Sequence, residues 1–264
     1  MTNALANAAE RSIKRVEWVP MTNPSGALYP DQVLLTAPQN IRPLLRHGFA
    51  SRLLAEIGGG PLPRLDTLLA SASSLHLCSG DLLCEPGKSF PYLVLVERGL
   101  LAQTVAHEGR EMTVAFLERG EVSGNLFALY GDVLREPSSA AMGYDRAPAP
   151  SYRVSAVTEA RVILLDARHI STLAGRHAEW ATLRSRILLE QTLRQAQREE
   201  ERLTRSSEER YEALLARSPE AVSQLTQREI ARYLGISEVT MSRLMARRGG
   251  RRAGSRKPVA NVSD

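Results

Sequence analysis

The sequence predicts an α+β fold, in which a β domain of the barrel or jelly-roll type is followed by a long helix and a small helical domain. Three observations predict this order. Short apolar runs separated by glycine extend from about residue 75 to 165, helical periodicity continues from Asp166 beyond residue 200, and two short amphipathic helices flank Gly235. With 264 residues and 43% hydrophobic content, the chain can bury the core of one or two domains.

Composition narrows the functional classes. The 34 Lys+Arg and 29 Asp+Glu give a net charge of +5, which permits an acidic partner. No apolar run approaches the length of a membrane span, and the N-terminus lacks the apolar core of a secretory signal, so we expect a cytoplasmic protein with no membrane partner. The two cysteines, Cys78 and Cys84, lack the spacing of a structural zinc site, so we expect no metal site.

The N-terminal part is predicted in two segments. Residues 1–60 contain repeated prolines and loop dipeptides, which indicates a partly ordered extension. Residues 61–166 form the predicted β domain, a double-stranded β-helix that opens with one short helix over 61–73. Its turns are placed at five glycines: Gly80, Gly87, Gly99, Gly109 and Gly120. The polar, proline-rich stretch from 132 to 151 predicts a loop inserted between two strands.

Residues 167–205 are predicted to form a long dimerisation helix. One apolar stripe consists of Trp180, Leu183 and Ile187. A second stripe has the spacing of a coiled-coil seam, which indicates a homodimer. It consists of Leu189, Leu193, Ala196 and Leu203. The alternative is a long helix packed only on its own domain.

Residues 206–248 are predicted to form a helix-turn-helix domain. In LTQREIARYLGISEVTMSRL, Ile230, Ala231 and Leu234 form the inner face of a first helix, Gly235 permits the turn, and Met241 and Leu244 face inward from a second helix. Thr226 and Ser237 stand where helix N-caps are needed. In this motif the second helix lies in the major groove of double-stranded DNA.

The side chains left outside this small core are the candidate DNA contacts. They are Thr226, Gln227, Ser237, Glu238, Val239, Thr240, Ser242, Arg243 and Arg247. Arg243 is the best candidate for base recognition, because an arginine can donate two hydrogen bonds to guanine, worth about 1–3 kcal/mol of discrimination. Arg248 and the basic tail over 249–264 predict additional attraction to phosphate.

The order of parts resembles the Crp/Fnr family of bacterial transcription regulators from about residue 62 to 248. The resemblance rests on GDLLCEPGKSFPYLVLVERGLL, GEVSGNLFALYGD and the helix-turn-helix stretch quoted above. It implies a cyclic-nucleotide-binding-like β-roll that senses a small-molecule effector, and a homodimer that reads a near-palindromic DNA site. It also implies contact with RNA polymerase.

The effector-binding positions depart from the family. Members that bind cyclic AMP have a glutamate after the glycine that matches Gly124 and an Arg-Ser pair on the next strand. Here these positions are Asn125 and Pro150–Ser151, which argues against cyclic AMP bound in the usual way. Strand alternation places Arg153 on the face of Ser151 as an imperfect substitute. The candidate effector residues are Gly124, Asn125, Ser151, Arg153, Gln191 and Gln195.

Other chemistries stay open, and the sequence leaves the cofactor unknown. Four-cysteine iron–sulfur ligation is excluded by the cysteine count. Haem ligation by a single histidine is an alternative, with five candidates: His47, His76, His107, His169 and His177. Further alternatives are a Cys78–Cys84 redox pair, constitutive activity, and control by a protein that contacts the extension. A cupin-like metalloenzyme is a remote alternative, because no His-x-His stands on the predicted strands. We predict no catalytic residue.

Overall fold

The β domain is a sandwich of two antiparallel sheets. The computed structural model describes residues 48–130, 133 and 150–254. The strands are β1 (Ser73–Leu77), β2 (Leu82–Cys84), β3 (Tyr92–Arg98), β4 (Leu101–His107), β5 (Arg110–Leu117), β6 (Val122–Gly124), β7 (Arg153–Ala156) and β8 (Ala160–Asp166). One sheet has the order β1-β8-β3-β6 and the other β2-β7-β4-β5. This architecture confirms the predicted double-stranded β-helix.

The apolar runs of β3 and β8 are continuous because both faces of their sheet are covered. On β3, Leu93 and Leu95 pack under the helices, while Val94 and Val96 point between the two sheets. The alternation repeats on β8. A strand buried on both faces needs apolar residues at every position, which explains the absence of polar alternation in these runs.

The five turn glycines predicted from the sequence all adopt positive φ. Gly99, between β3 and β4, has φ +88°, and a Cβ there would lie 2.3 Å from the carbonyl oxygen of Glu159. Gly109, between β4 and β5, has φ +75° with open space around the same position. Gly99 is therefore required by both conformation and packing, and Gly109 by conformation alone.

Helices cover the outer face of the first sheet. They are α1 (Gly48–Gly58), α2 (Leu65–Ala70), α3 (Leu126–Leu129), α4 (Ala167–Ala174) and α5 (Ala178–Thr204). Ala50 and Leu54 of α1 are fully buried in the same cluster as Trp180 and Leu183 of α5. The sequence did not predict α1, which lies inside the range assigned to a partly ordered extension. Residues 1–47 lie outside the described residues.

The helix predicted over 167–205 is two helices. The break falls at Gly175, the C-cap of α4, whose backbone N–H donates to Ser171 O at 3.1 Å. His177 then adopts an extended conformation with φ −136° and ψ 123° before α5 begins. The prediction of one continuous helix was wrong, because the apolar spacing used to predict it continues across the break and so does not reveal it.

The C-terminal domain contains α6 (Ser207–Arg217), α7 (Pro219–Gln224), α8 (Gln227–Leu234) and α9 (Glu238–Gly254). Its core consists of Tyr211, Leu214, Val222, Ile230, Ala231, Leu234, Met241 and Leu244. The start of the predicted basic tail continues α9, while residues 255–264 and most of the predicted insertion over 132–151 lie outside the described residues. In the described part of the chain, no helix is long and apolar enough to cross a membrane.

We predict that Gly99→Ala destabilises the β domain more than Gly109→Ala does. Alanine at positive φ costs about 1–2 kcal/mol at either position. At Gly99 the added methyl group also overlaps backbone, which adds about 1–3 kcal/mol. Urea unfolding followed by circular dichroism measures both changes, and equal losses would contradict the packing requirement at Gly99.

Candidate DNA-binding surface and effector cleft

The first helix of the predicted motif, α8, begins with a complete capping box. The hydroxyl of Thr226 accepts a hydrogen bond from the N–H of Glu229 at 3.2 Å, and the Glu229 carboxylate accepts one from the N–H of Thr226 at 2.7 Å. The two side chains satisfy backbone donors that a helix start otherwise leaves free. The N-cap predicted at Thr226 is confirmed.

The turn between α8 and α9 depends on one glycine and one serine. Gly235 adopts the left-handed conformation with φ 66°, and the next N–H, of Ile236, donates to Ala231 O at 3.0 Å. The hydroxyl of Ser237 accepts from the N–H of Thr240 at 3.1 Å and so caps α9. These contacts fix the angle at which α9 leaves the turn.

The outer face of α9 presents unpaired basic side chains. Val239, Arg243 and Arg247 recur at four-residue spacing and are all exposed, Val239 at 61%. Within the described part of the chain, neither arginine forms an ion pair or a side-chain hydrogen bond. Ser242 is exposed beside them, and Thr226 and Gln227 are exposed at the start of α8. The inner face is spent on Met241 and Leu244, both buried.

Four polar side chains near this face are already engaged. Glu238 pairs with Arg228 of α8 at 3.1 Å, and the hydroxyl groups of Thr240 and Ser237 lie 2.9 Å apart. Arg248 stacks over the ring of Tyr211 at 4.9 Å and pairs with Glu212, so it belongs to the domain's own packing. The phosphate attraction predicted for Arg248 stays a prediction, although its guanidinium group is already shared with these partners.

The helix-turn-helix domain docks on β5, an edge strand of the second sheet. The rings of Phe116 and Tyr233 stack with their centroids 5.3 Å apart and an interplanar angle of 29°. Arg232 of α8 pairs with Glu111 of β5 at 3.1 Å. Within the C-terminal domain, Arg217 of α6 donates to the hydroxyl of Tyr233 at 2.7 Å. The sequence did not predict that the helix-turn-helix domain docks on β5.

A large cleft opens where the β domain, α5 and the helix-turn-helix domain meet. Its volume is about 1090 Å³, and it is lined from β4, β5, the β6–α3 link, α5, α6 and α8. Five of the six candidate effector residues line it: Gly124, Asn125, Ser151, Gln191 and Gln195.

Gly124 and Asn125 have structural roles in the cleft wall. Gly124 has φ +148°, and a Cβ there would lie 2.4 Å from Tyr92 O, so no other residue fits against β3. The buried Asn125 caps α3, because its side-chain oxygen accepts from the N–H of Ala128 at 3.2 Å. The side-chain oxygen of Asn125 is therefore already hydrogen-bonded within the fold.

The other candidate effector residues differ in their availability. Gln191 donates to Val122 O at 2.6 Å, whereas Gln195 is exposed and has no partner among the described residues. Ser151 is exposed at the cleft wall. Arg153 pairs with Glu111 at 3.2 Å and does not line the cleft, so the suggestion that it substitutes for the family arginine is not supported.

The sequence analysis missed the arginines of this cleft. The lining includes Arg198 and Arg202 of α5, Arg210 of α6 and Arg232 of α8. Burial lowers the pKa of Arg198, and the nearby Arg217 and Arg194 lower it further. Their helical spacing could have indicated a shared polar face, which consists of Gln191, Gln195, Arg198 and Arg202. Periodicity alone, however, does not show what that face contacts.

The described part of the chain contains no group of three or more His, Cys, Asp or Glu that could hold a metal ion. His76 lies within 2.9 Å of Glu159 on the surface. His47 and the side chain of His107 lie outside the described residues. Cys78 is exposed and Cys84 buried, and both are free thiols.

Comparison with solved structures places this architecture among the Crp/Fnr transcription regulators. FixK2 from Bradyrhizobium japonicum shares 16% sequence identity, with 68% of this chain and 85% of that chain covered, at a TM-score of 0.55. The c-di-GMP responsive global regulator CLP from Xanthomonas campestris shares 15% identity, with 71% and 91% covered, at a TM-score of 0.55. A Crp/Fnr family regulator from Thermus thermophilus shares 18% identity, with 67% and 86% covered, at a TM-score of 0.52.

These structures establish the fold. No protein-family model and no curated protein matches the sequence. The chain has the fold of the Crp/Fnr transcription regulators, a cyclic-nucleotide-binding-like β-roll joined by a long helix to a C-terminal helical domain. The resemblance seen in the sequence is confirmed at the level of the fold.

We predict that only Cys78 reacts with a thiol reagent in the native protein. Burial raises the pKa of Cys84 to about 12. At pH 8 only about one Cys84 thiol in ten thousand is then the reactive thiolate. Titration with 5,5′-dithiobis(2-nitrobenzoic acid) should release one equivalent per native chain and two after denaturation. The Cys78→Ser variant should release none until it is denatured, and fast release of two equivalents from native protein would contradict the assignment.

Proposed function

We propose that this protein is a sequence-specific DNA-binding transcription regulator that acts as a homodimer in the cytoplasm. The observation that carries the proposal is the exposed stripe of Val239, Arg243 and Arg247 on α9. This helix is held by a capped turn, and its opposite face is buried. A rigid helix with unpaired arginines on one face suits the major groove. This helix gives no reason to assign an enzymatic activity.

The DNA contacts divide by chemistry. Arg243 reads base edges, with Val239 as an apolar neighbour, and Ser242 and Arg247 complete the outer face of α9. Gln227, Thr226 and Ser237 lie at helix N-termini, where phosphate contacts are common. Glu238 contributes less to DNA because its carboxylate already pairs with Arg228, while Thr240 lies beside Ser237 at the same helix start.

The homodimer forms through the exposed leucine stripe of α5. Leu189, Leu193 and Leu203 are 57%, 59% and 80% exposed, whereas the neighbouring stripe of Trp180, Leu183 and Ile187 is buried within the chain. A second copy of the helix provides the apolar cover that this stripe lacks. Two copies related by a two-fold axis place two recognition helices on a near-palindromic site, about one DNA turn or 34 Å apart. RNA polymerase would then contact the bound dimer.

The cleft is the proposed effector site. An effector there would touch both domains, and one that favours one domain arrangement shifts the population toward it. The usual cyclic AMP contacts are not part of the proposal, because Pro150 replaces the arginine and Asn125 caps α3. The second candidate is a regulator with a non-sensing β-roll, constitutive or controlled by a protein. The internal hydrogen bonds of Asn125 and Gln191 favour it.

We predict that Arg243→Gln weakens specific DNA binding by roughly ten- to a hundred-fold, the equivalent of losing a bidentate arginine–guanine contact. A binding-site selection on purified wild-type protein should first return a two-fold symmetric sequence, and fluorescence anisotropy then measures each variant on it. Arg161→Gln is the control, because Arg161 is also exposed but lies on β8, away from α9. Wild-type protein that selects no sequence would overturn the proposed function.

We predict that Leu193→Glu converts the dimer to a monomer, because it places like charges in the seam on both copies. Analytical ultracentrifugation gives the mass, and circular dichroism checks that the fold remains. Thr172→Glu introduces the same charge at an exposed position of α4 and should leave the dimer intact. A Leu193→Glu variant that stays dimeric would place the interface elsewhere.

A further inference from the structure

The cleft has two ends of different chemistry. The end within the β domain is lined by β4 and β5 side chains, including Val105, Met112 and Ala115. The other end lies between the C-terminal turns of α5 and the helix-turn-helix domain, where Arg198, Arg202 and Arg210 line it. From Gln191 to Arg202, α5 advances about 16 Å along its axis, so the two ends are well separated.

The arginine end is short of negative charge. Glu201 also lines it, but its buried carboxylate lies 3.6 Å from both Arg205 and Arg217. Glu199 is the other acidic residue of the lining. Within the described part of the chain, none of Arg198, Arg202 and Arg210 pairs with a carboxylate. Arg198 and Arg210 are half-buried, whereas Arg202 is exposed. An unpaired guanidinium group in a partly desolvated cleft is costly, and an anionic ligand offsets that cost.

Two of these arginines also have unused hydrogen-bonding capacity. The Nε atom of Arg210 is buried and has no partner in the described part of the chain, and its Nη2 reaches only Ser207 Oγ at 3.5 Å. The Nε of Arg198 donates to Arg194 O at 3.2 Å, and its terminal nitrogens form no hydrogen bond or ion pair among the described residues. A buried donor without an acceptor is unusual in a native protein, and it indicates a missing partner.

We propose that the cleft binds an elongated amphipathic organic anion, with its apolar body against β4 and β5 and its anionic group against Arg198, Arg202 and Arg210. This inference rests on the proposed effector control of DNA binding and names the chemical class of the effector. The binding position differs from that of a cyclic phosphate held within the β-roll, because in this chain the arginines of the cleft lie at the domain junction.

The position of the anionic group gives it a regulatory role. Arg198 and Arg202 lie on α5, and Arg210 lies on α6, beyond the extended link at Arg205. One anion that contacts all three ties the two helices together. It therefore stabilises the arrangement in which α8 docks on β5 through Tyr233 and Phe116.

The test compares two fluorescent probes that differ by one sulfonate group. The first, 1-anilinonaphthalene-8-sulfonate, is an aromatic body with an anionic group, and N-phenyl-1-naphthylamine is the same body without it. Fluorescence titration of the full chain should show one site per chain at which the sulfonate binds roughly tenfold more tightly or better, since hydrogen bonds to charged groups are strong. Equal affinity for the two probes would overturn the proposal.

Variants place the two ends of the site. Arg202→Gln and Arg210→Gln should each weaken binding of the sulfonate probe and leave the neutral probe unchanged, while Val105→Gln should weaken both. Arg176→Gln, an exposed arginine outside the cleft, is the matched control. Partial unfolding raises the fluorescence of the sulfonate probe, so a loss of signal does not arise from it. Unchanged binding in both cleft arginine variants, or an equal loss in Arg176→Gln, would contradict the site.

This experiment fails separately from the proposed function. If the probes do not discriminate but the chain still selects a symmetric DNA sequence, only the ligand class is wrong. If the probes discriminate and no DNA is selected, the anion site stands and the regulatory role is wrong.

Discussion

The packing of α5 on the β domain is the constraint on which the rest of the structure depends. Trp180, Leu183 and Ile187 are buried against the sheet and α1, and the indole N–H of Trp180 donates to Pro63 O at 2.7 Å. Once this stripe is fixed, the helical period fixes every other face of α5. The face of Gln191 then looks into the cleft, and Leu189 and Leu193 of the leucine stripe lie exposed on another face, while Leu203 at the end of the stripe also borders the cleft. A single packing contact therefore orients both the effector-facing side chains and the proposed dimer seam.

The contact between the two domains is much weaker than either core. A stacked aromatic pair such as Phe116–Tyr233 is worth about 0.5–1.5 kcal/mol beyond its burial. A partly exposed ion pair such as Arg232–Glu111 adds about 0–1 kcal/mol. Contacts of this size are comparable to the differential binding energy that a small ligand supplies. The domain arrangement is thus the part of the molecule that an effector can change, while the β sandwich and the helix-turn-helix core stay intact.

Burial and ion pairing distinguish the roles of the arginines. Arg243 and Arg247 are exposed and unpaired in the described part of the chain, which suits attraction to DNA. Arg248, one residue further along the helix, stacks on the ring of Tyr211 and pairs with Glu212. Arg198 and Arg210 are partly buried at the domain junction, where an unpaired charge is costly. Their position in sequence distinguishes none of them, since all stand in arginine-rich helical segments.

The sequence by itself determined the elements whose cause is local. The N-cap at Thr226, the left-handed Gly235 and the turn glycines of the β domain all depend on neighbouring residues, and all were predicted, although the capping-box partner Glu229 was not. The tertiary structure alone decided which distant residues meet. The burial of α1, the docking of Tyr233 on Phe116 and the convergence of arginines from α5, α6 and α8 depend on contacts between residues far apart in the chain. Local spacing carries information about which face a residue occupies, but not about what that face will contact, because that is settled only when the whole core packs.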